Sequence, residues 1–137
     1  MSVVIDASVT LAWLFPEEKD DAIDTLWDRI ITEGAVAPAL WSLEVTNALL
    51  MAERRRRVTA DEVAGFISQL GRVDVTLVAP PLPADTHLIV MLARAHRLTI
   101  YDAAYLALAH SRDLPLASLD AELIAAAKAI RVPVLPA

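Results

Sequence analysis

The chain of 137 residues contains no cysteine, which excludes disulfides and thiolate metal sites. It contains no apolar run near the roughly 18 residues that a spanning helix needs. The longest, "LIVMLA" at 88–93 and "AAYLALA" at 103–109, fall far short. The opening "MSVVIDASV" lacks a basic segment and carries Asp6 early, so it does not read as a signal peptide, and the expected location is cytoplasmic. Positive charge is scarce: twelve Lys and Arg stand against eighteen Asp and Glu, for a net charge of −6. That balance argues against nonspecific nucleic-acid binding, but leaves room for a nucleic-acid enzyme whose local charge does the work. There is no internal repeat, low-complexity tract or linker, so 1–137 reads as a single domain.

What the chain has in abundance is apolar side chain, 56% of residues. The usual share is about 45–50%, so some apolar surface should be left over for a subunit or partner. "SVVID" (2–6) is a β-branched run suited to a buried parallel strand. "ASVTLAWLF" should start a helix that Pro16 stops, and 17–34 reads as an amphipathic helix closed by Gly34. A short strand at 35–37, a helix at 40–57 and a helix at 59–71 follow, the last with Thr59 and Glu62 in capping-box positions. Then come a strand at 73–80, a stiff "PPLP" turn at 80–83, helices at 84–97 and 102–112, a strand at 115–119, a helix at 121–129 and a strand at 132–136. Strands alternating with helices imply an α/β fold of three layers, with a mainly parallel central sheet covered on both faces.

Ligands of such sheets bind beyond the carboxyl ends of the strands. Asp6 stands at the end of the first strand and Asp120 just after the strand at 115–119. Asp102 heads an otherwise apolar helix, where capping and a role in a site are compatible, and the helix N-terminus would favour its ionised form. Ser8 is a rival to Asp6 as cap of the first helix. Glu44 lies among Leu40, Leu43, Ala48 and Leu50, so its charge needs a partner. Two carboxylates about 4 Å apart repel by about 4 kcal/mol at an effective dielectric of ~20. If the four converge, a hard dication would be required, and oxygen-only donors point to Mg²⁺ or Mn²⁺.

"VVIDAS", "APALWSLEVTNAL", "TIYDAAYLALA" and "PLASLD", in that order, resemble the PIN-domain ribonucleases, and among them the small VapC-type toxins of bacterial toxin–antitoxin pairs. The resemblance covers almost the whole chain. It implies the PIN-like layered fold and metal-dependent endoribonuclease activity that leaves a 5′-phosphate and a 3′-hydroxyl. Asp6, Glu44, Asp102 and Asp120 match the family's acidic quartet, with Asp6 and Asp102 as the expected direct metal ligands. Ser8, Asn47 and Ser118 match the polar residues expected to hold those carboxylates, with serine at 118 where relatives carry threonine. The implied partners are an RNA substrate and an antitoxin protein, while the surplus apolar surface of the helices at 84–97 and 102–112 suggests a second copy of the chain in a homodimer.

Arg54, Arg55, Arg56 and Arg57 end the Glu44 helix, either complementing its dipole or touching RNA phosphates. Trp13, Trp41, Tyr101, Tyr105, Met51 and Met91 read as packing residues, with Tyr101 also within reach of a base. A dehalogenase-type phosphatase would need an acid where Ser8 stands, and a phospho-receiver domain an acidic pair after the first strand. The remaining alternative is a catalytically silent PIN scaffold that only binds a partner.

Overall fold

The computed structural model describes residues 2–79 and 83–137. Most of the "PPLP" turn lies outside them. Five strands, β1 (Val3–Ile5), β2 (Ala35–Pro38), β3 (Val75–Val78), β4 (Leu116–Ala117) and β5 (Val134–Leu135), form one sheet in the order β3-β2-β1-β4-β5. Every pairing is parallel. Around the sheet lie α1 (Ala7–Leu14), α2 (Asp21–Glu33), α3 (Leu40–Arg54), α4 (Ala60–Leu70), α5 (Pro83–His96), α6 (Ile100–Arg112) and α7 (Ala121–Ala129). This is the three-layer α/β/α arrangement expected from the alternation of strands and helices. None of these helices is long and apolar enough to cross a membrane.

β1 is buried throughout because it is central and its neighbours on both sides are parallel strands. The sheet order reverses at β1, with β2 and β3 on one side and β4 and β5 on the other. Such a reversal opens a crevice at the carboxyl ends of the strands. Ile5 pairs with Ala117, so the next residues, Asp6 and Ser118, emerge side by side into that crevice.

The helix expected over 17–34 is shorter than its pattern. Pro16–Glu18 form one turn of 3-10 helix, Lys19 is extended, and Asp20 caps α2 by accepting the Ile23 N–H at 2.9 Å. From there Ile23, Leu26, Trp27 and Ile30 bury one stripe, as the spacing requires. Gly34 ends it at φ 82°, where only glycine sits without strain. α4 begins with the expected capping box, Thr59 and Glu62 exchanging bonds of 3.1 Å. β4 and β5 are two residues each, shorter than the expected strands at 115–119 and 132–136.

Two indole groups tie the first helices to the core. Trp27 donates its Nε1–H to the Val9 carbonyl at 3.0 Å and stacks on Trp13 with ring centroids 4.1 Å apart. Trp41, on α3, donates to Thr10 Oγ1 at 3.0 Å, and the Thr10 hydroxyl donates to the Asp6 carbonyl at 2.8 Å. This buried relay fixes α3 against the end of β1. Thr10→Val would keep the shape and orphan the Trp41 N–H. A loss of about 1–3 kcal/mol in chemical denaturation is expected; unchanged stability would show that the relay bears no weight.

Met91 and Tyr101 correct the packing expectation, being 58% and 62% exposed. Met51 is half-buried. The arginine cluster also differs from its reading, because α3 ends at Arg54 and Arg56 takes a left-handed φ of 58°. Arg57 is committed elsewhere: it bonds Glu17 and Glu18, both at 2.9 Å, and lies 4.3 Å from the centre of the Phe15 ring. Arg54, Arg55 and Arg56 are exposed.

Candidate active site

Asp6 is 5% exposed and stands at the carboxyl end of β1, where it is the N-cap of α1. Its Oδ1 accepts from Val9 N at 3.2 Å and from Ser8 Oγ at 2.6 Å. Its Oδ2 accepts from Ser118 Oγ at 2.5 Å. The rivalry between Asp6 and Ser8 is thus resolved: the carboxylate caps and the serine supports it. Both serines bridge two loops. Ser8 also accepts from Leu119 N at 2.9 Å, and Ser118 from Asp120 N at 3.0 Å. The turn after β1 and the turn after β4 are therefore sewn together through one carboxylate.

Asp120 caps α7, its Oδ1 accepting from Leu123 N at 2.9 Å. Asp102 is not a cap. Thr99 caps α6, accepting from Asp102 N at 3.1 Å, and Asp102 sits in the first turn behind it. Glu44 projects from α3 and is half-buried. Its Oε1 accepts a 2.6 Å bond from the Tyr105 hydroxyl. Asn47 is exposed one turn further along α3 and, among the described residues, bonds to none of the four acids.

The electrostatics place these acids in one field. Burial raises the Asp6 pKa above its ordinary 3.8, against the lowering effect of the bonds from Ser118 and Ser8. Burial likewise raises Glu44, which the Tyr105 bond lowers and the charges of Asp102 and Asp6 raise again. Asp102 is raised by burial, then by Asp120 and by Glu122. Whatever the helix N-terminus contributes, burial and like charge shift the Asp102 pKa upward. Glu122 and Tyr105 are the additions that sequence reasoning missed. Glu122 reads as an ordinary acid in the first turn of α7. Tyr105 reads as core, and it is 1% exposed.

Among the described residues, no three acidic or imidazole side chains stand close enough to grip a single ion as they are. The two observations are compatible, because charge coupling reaches roughly a Debye length of 8–10 Å, whereas ligation needs oxygens within about 2–2.6 Å of the ion. The donor chemistry fits a hard dication: oxygen only, with Asp6 raised by desolvation and Glu44 and Asp102 raised by desolvation and neighbouring acidic charge. The serines hold both oxygens of Asp6 at the crevice, Ser8 at Oδ1 and Ser118 at Oδ2.

The sequence signature of the PIN domain matches residues 3–129. The chain belongs to the PIN domain family. Ribonuclease VapC3 of Pyrobaculum aerophilum is 30% identical over 125 residues, which span 90% of this chain and 92% of that one. The same architecture recurs in the crystal structure of PAE2754 from Pyrobaculum aerophilum, with a TM-score of 0.68, 24% identity, and coverage of 98% of this chain and 83% of that one. It recurs in VapC20 of Mycobacterium tuberculosis, described as a sarcin-ricin loop cleaving toxin, with a TM-score of 0.64 at 14% identity over 91% of this chain and 95% of that one. FitAcB of Neisseria gonorrhoeae gives a TM-score of 0.59 at 19% identity, covering 96% and 95%. Together they identify this chain as a VapC-type PIN domain, as the four motifs implied.

Proposed function

We propose that this PIN domain is a Mg²⁺- or Mn²⁺-dependent endoribonuclease and the toxin of a toxin–antitoxin pair. The observation that carries the reading is the buried carboxylate of Asp6 at the carboxyl end of β1, held by Ser8 and Ser118, with Glu44 close enough to feel the charges of Asp6 and Asp102. Ribonuclease VapC3 and the toxin VapC20 support the substrate class, the first by sequence and the second by fold. A dication bound here would offset charge on the phosphoryl oxygens and acidify a water.

The side chains divide the remaining work. Asp6, held by Ser8 and Ser118, would present its carboxylate to the ion. Asp102 would be the second ligand. Glu44 would orient the attacking water and accept its proton, a task for which burial and the charges of Asp102 and Asp6, by raising its pKa, make it more basic. Asp120 would complete the set from the head of α7. Any of Arg54, Arg55 and Arg56 could meet RNA phosphates, while Arg57 is held by its two glutamates. The large apolar side chains left exposed, Leu43, Leu50, Ile67 and Met91 among them, support an antitoxin and a homodimer as partners.

Incubation with total RNA and Mg²⁺ tests the reading. Discrete cuts bearing 5′-phosphate and 3′-hydroxyl ends are expected, lost with chelator and regained with Mg²⁺. Cutting that survives chelation would refute it.

A further inference from the structure

Tyr105 is almost wholly enclosed, yet its hydroxyl is not left among apolar neighbours. It reaches from α6 to Glu44 on α3, 61 residues away in sequence, in a 2.6 Å bond. Glu44 is one of two groups whose charge is felt by Tyr105 beside its own helix partner Asp102, and Asp6 is the other. A phenol beside three acids has only its proton to offer, so the hydroxyl must donate and the carboxylate accept. The glutamate otherwise has three rotatable bonds, and among the described residues no other residue donates a hydrogen bond to its carboxylate.

We propose that Tyr105 is a positioning residue for the nuclease reaction: its hydroxyl pins Glu44 Oε1 and so turns Oε2 towards the crevice that Asp6 and Asp102 share. α6 then serves the site twice, delivering Asp102 directly and Tyr105 one turn later. The assignment rests on the ribonuclease reading above. It gives the buried aromatic a function that packing alone would leave to phenylalanine.

The test is Tyr105→Phe, which keeps the ring and removes the oxygen. Loss of a group that orients a metal-site residue typically lowers metal affinity or activity about 10–100-fold. The variant should melt within a few degrees of the wild type in chelator, need at least ~10-fold more Mn²⁺ to reach half of the Mn²⁺-linked rise in melting temperature, and cut RNA at least ~10-fold more slowly. The same change in a Glu44→Gln background should leave the Mn²⁺ midpoint of that background unmoved, because the oxygen acts through the glutamate. A Tyr105→Phe protein equal to wild type in midpoint and cutting would overturn the proposal, and so would a full-sized additional loss in the Glu44→Gln background. A wild type that neither responds to Mn²⁺ nor cuts RNA would instead remove the ribonuclease reading, and this assignment would fall with it.

Discussion

Asp6→Asn is expected to abolish RNA cleavage and, in the same stroke, to make the metal-free protein harder to melt. The first effect follows from the charge. Asparagine offers one neutral oxygen where a dication needs an anionic ligand, and a loss of at least ~100-fold is expected. The second follows from burial. The carboxylate is 5% exposed and its pKa is raised by desolvation, so burial in the folded state disfavours its charged form. Asparagine caps a helix as well as aspartate, so the bond from Val9 N survives.

The sign of the pH dependence is fixed by the same shift. A pKa raised on folding contributes stability in full below the ordinary value of 3.8 and loses it as the pH climbs through the raised value. Asparagine does not titrate. The gap in melting temperature between Asp6→Asn and wild type, measured in chelator, should therefore widen as the pH rises from about 4 towards 7. A gap that is flat or narrowing would mean that Asp6 is not strained by its burial, and the site would lose its driving force for binding a cation.

The wild-type protein should be strongly stabilised by Mn²⁺, and Asp6→Asn should not. A ligand that binds only the folded state at 100 times its dissociation constant adds about 2.7 kcal/mol. In a domain of this size that corresponds to a rise of roughly 5–15 °C. The cause would be local: a bound cation would offset the repulsion that lifts Glu44 and Asp102 and the burial cost that lifts Asp6. Calorimetry of both proteins with Mn²⁺ and with chelator decides it. Equal curves for wild type with and without Mn²⁺ would return the chain to the silent-scaffold alternative.

Much of this was legible in the residues, and the exceptions have physical causes. Alternation of β-branched runs with amphipathic stretches was enough for the parallel three-layer fold, because a buried parallel strand and a helix stripe leave different periods. Strand lengths were overread at β4 and β5, where "PLASL" and "VPVLP" look alike along their length while only two residues of each pair. Asp102 reads as a cap because Ile100 and Tyr101 look like strand or loop ahead of it, yet both lie inside α6. Thr99 three residues earlier is the signal that was available. The serine cradle of Asp6 was expected from the motifs, whereas Asn47 was expected beside Glu44 and faces solvent instead. Tyr105 could not be found from sequence at all: one hydroxyl distinguishes it from a core phenylalanine, and its partner is 61 residues away.

The placement of β1 carries a consequence for the chain as it is being made. One flank of that strand is covered early, by Ala35 and Val36, but the other waits for Leu116 and Ala117. A ribosome adding roughly 5–20 residues each second takes several seconds between the two. Ser118 and Asp120 emerge later still, and without them the loop that cups Asp6 has only one wall. A growing polypeptide that still lacks Leu116 to Asp120 therefore has no assembled crevice, and any chemistry at Asp6 waits until that stretch has left the exit tunnel.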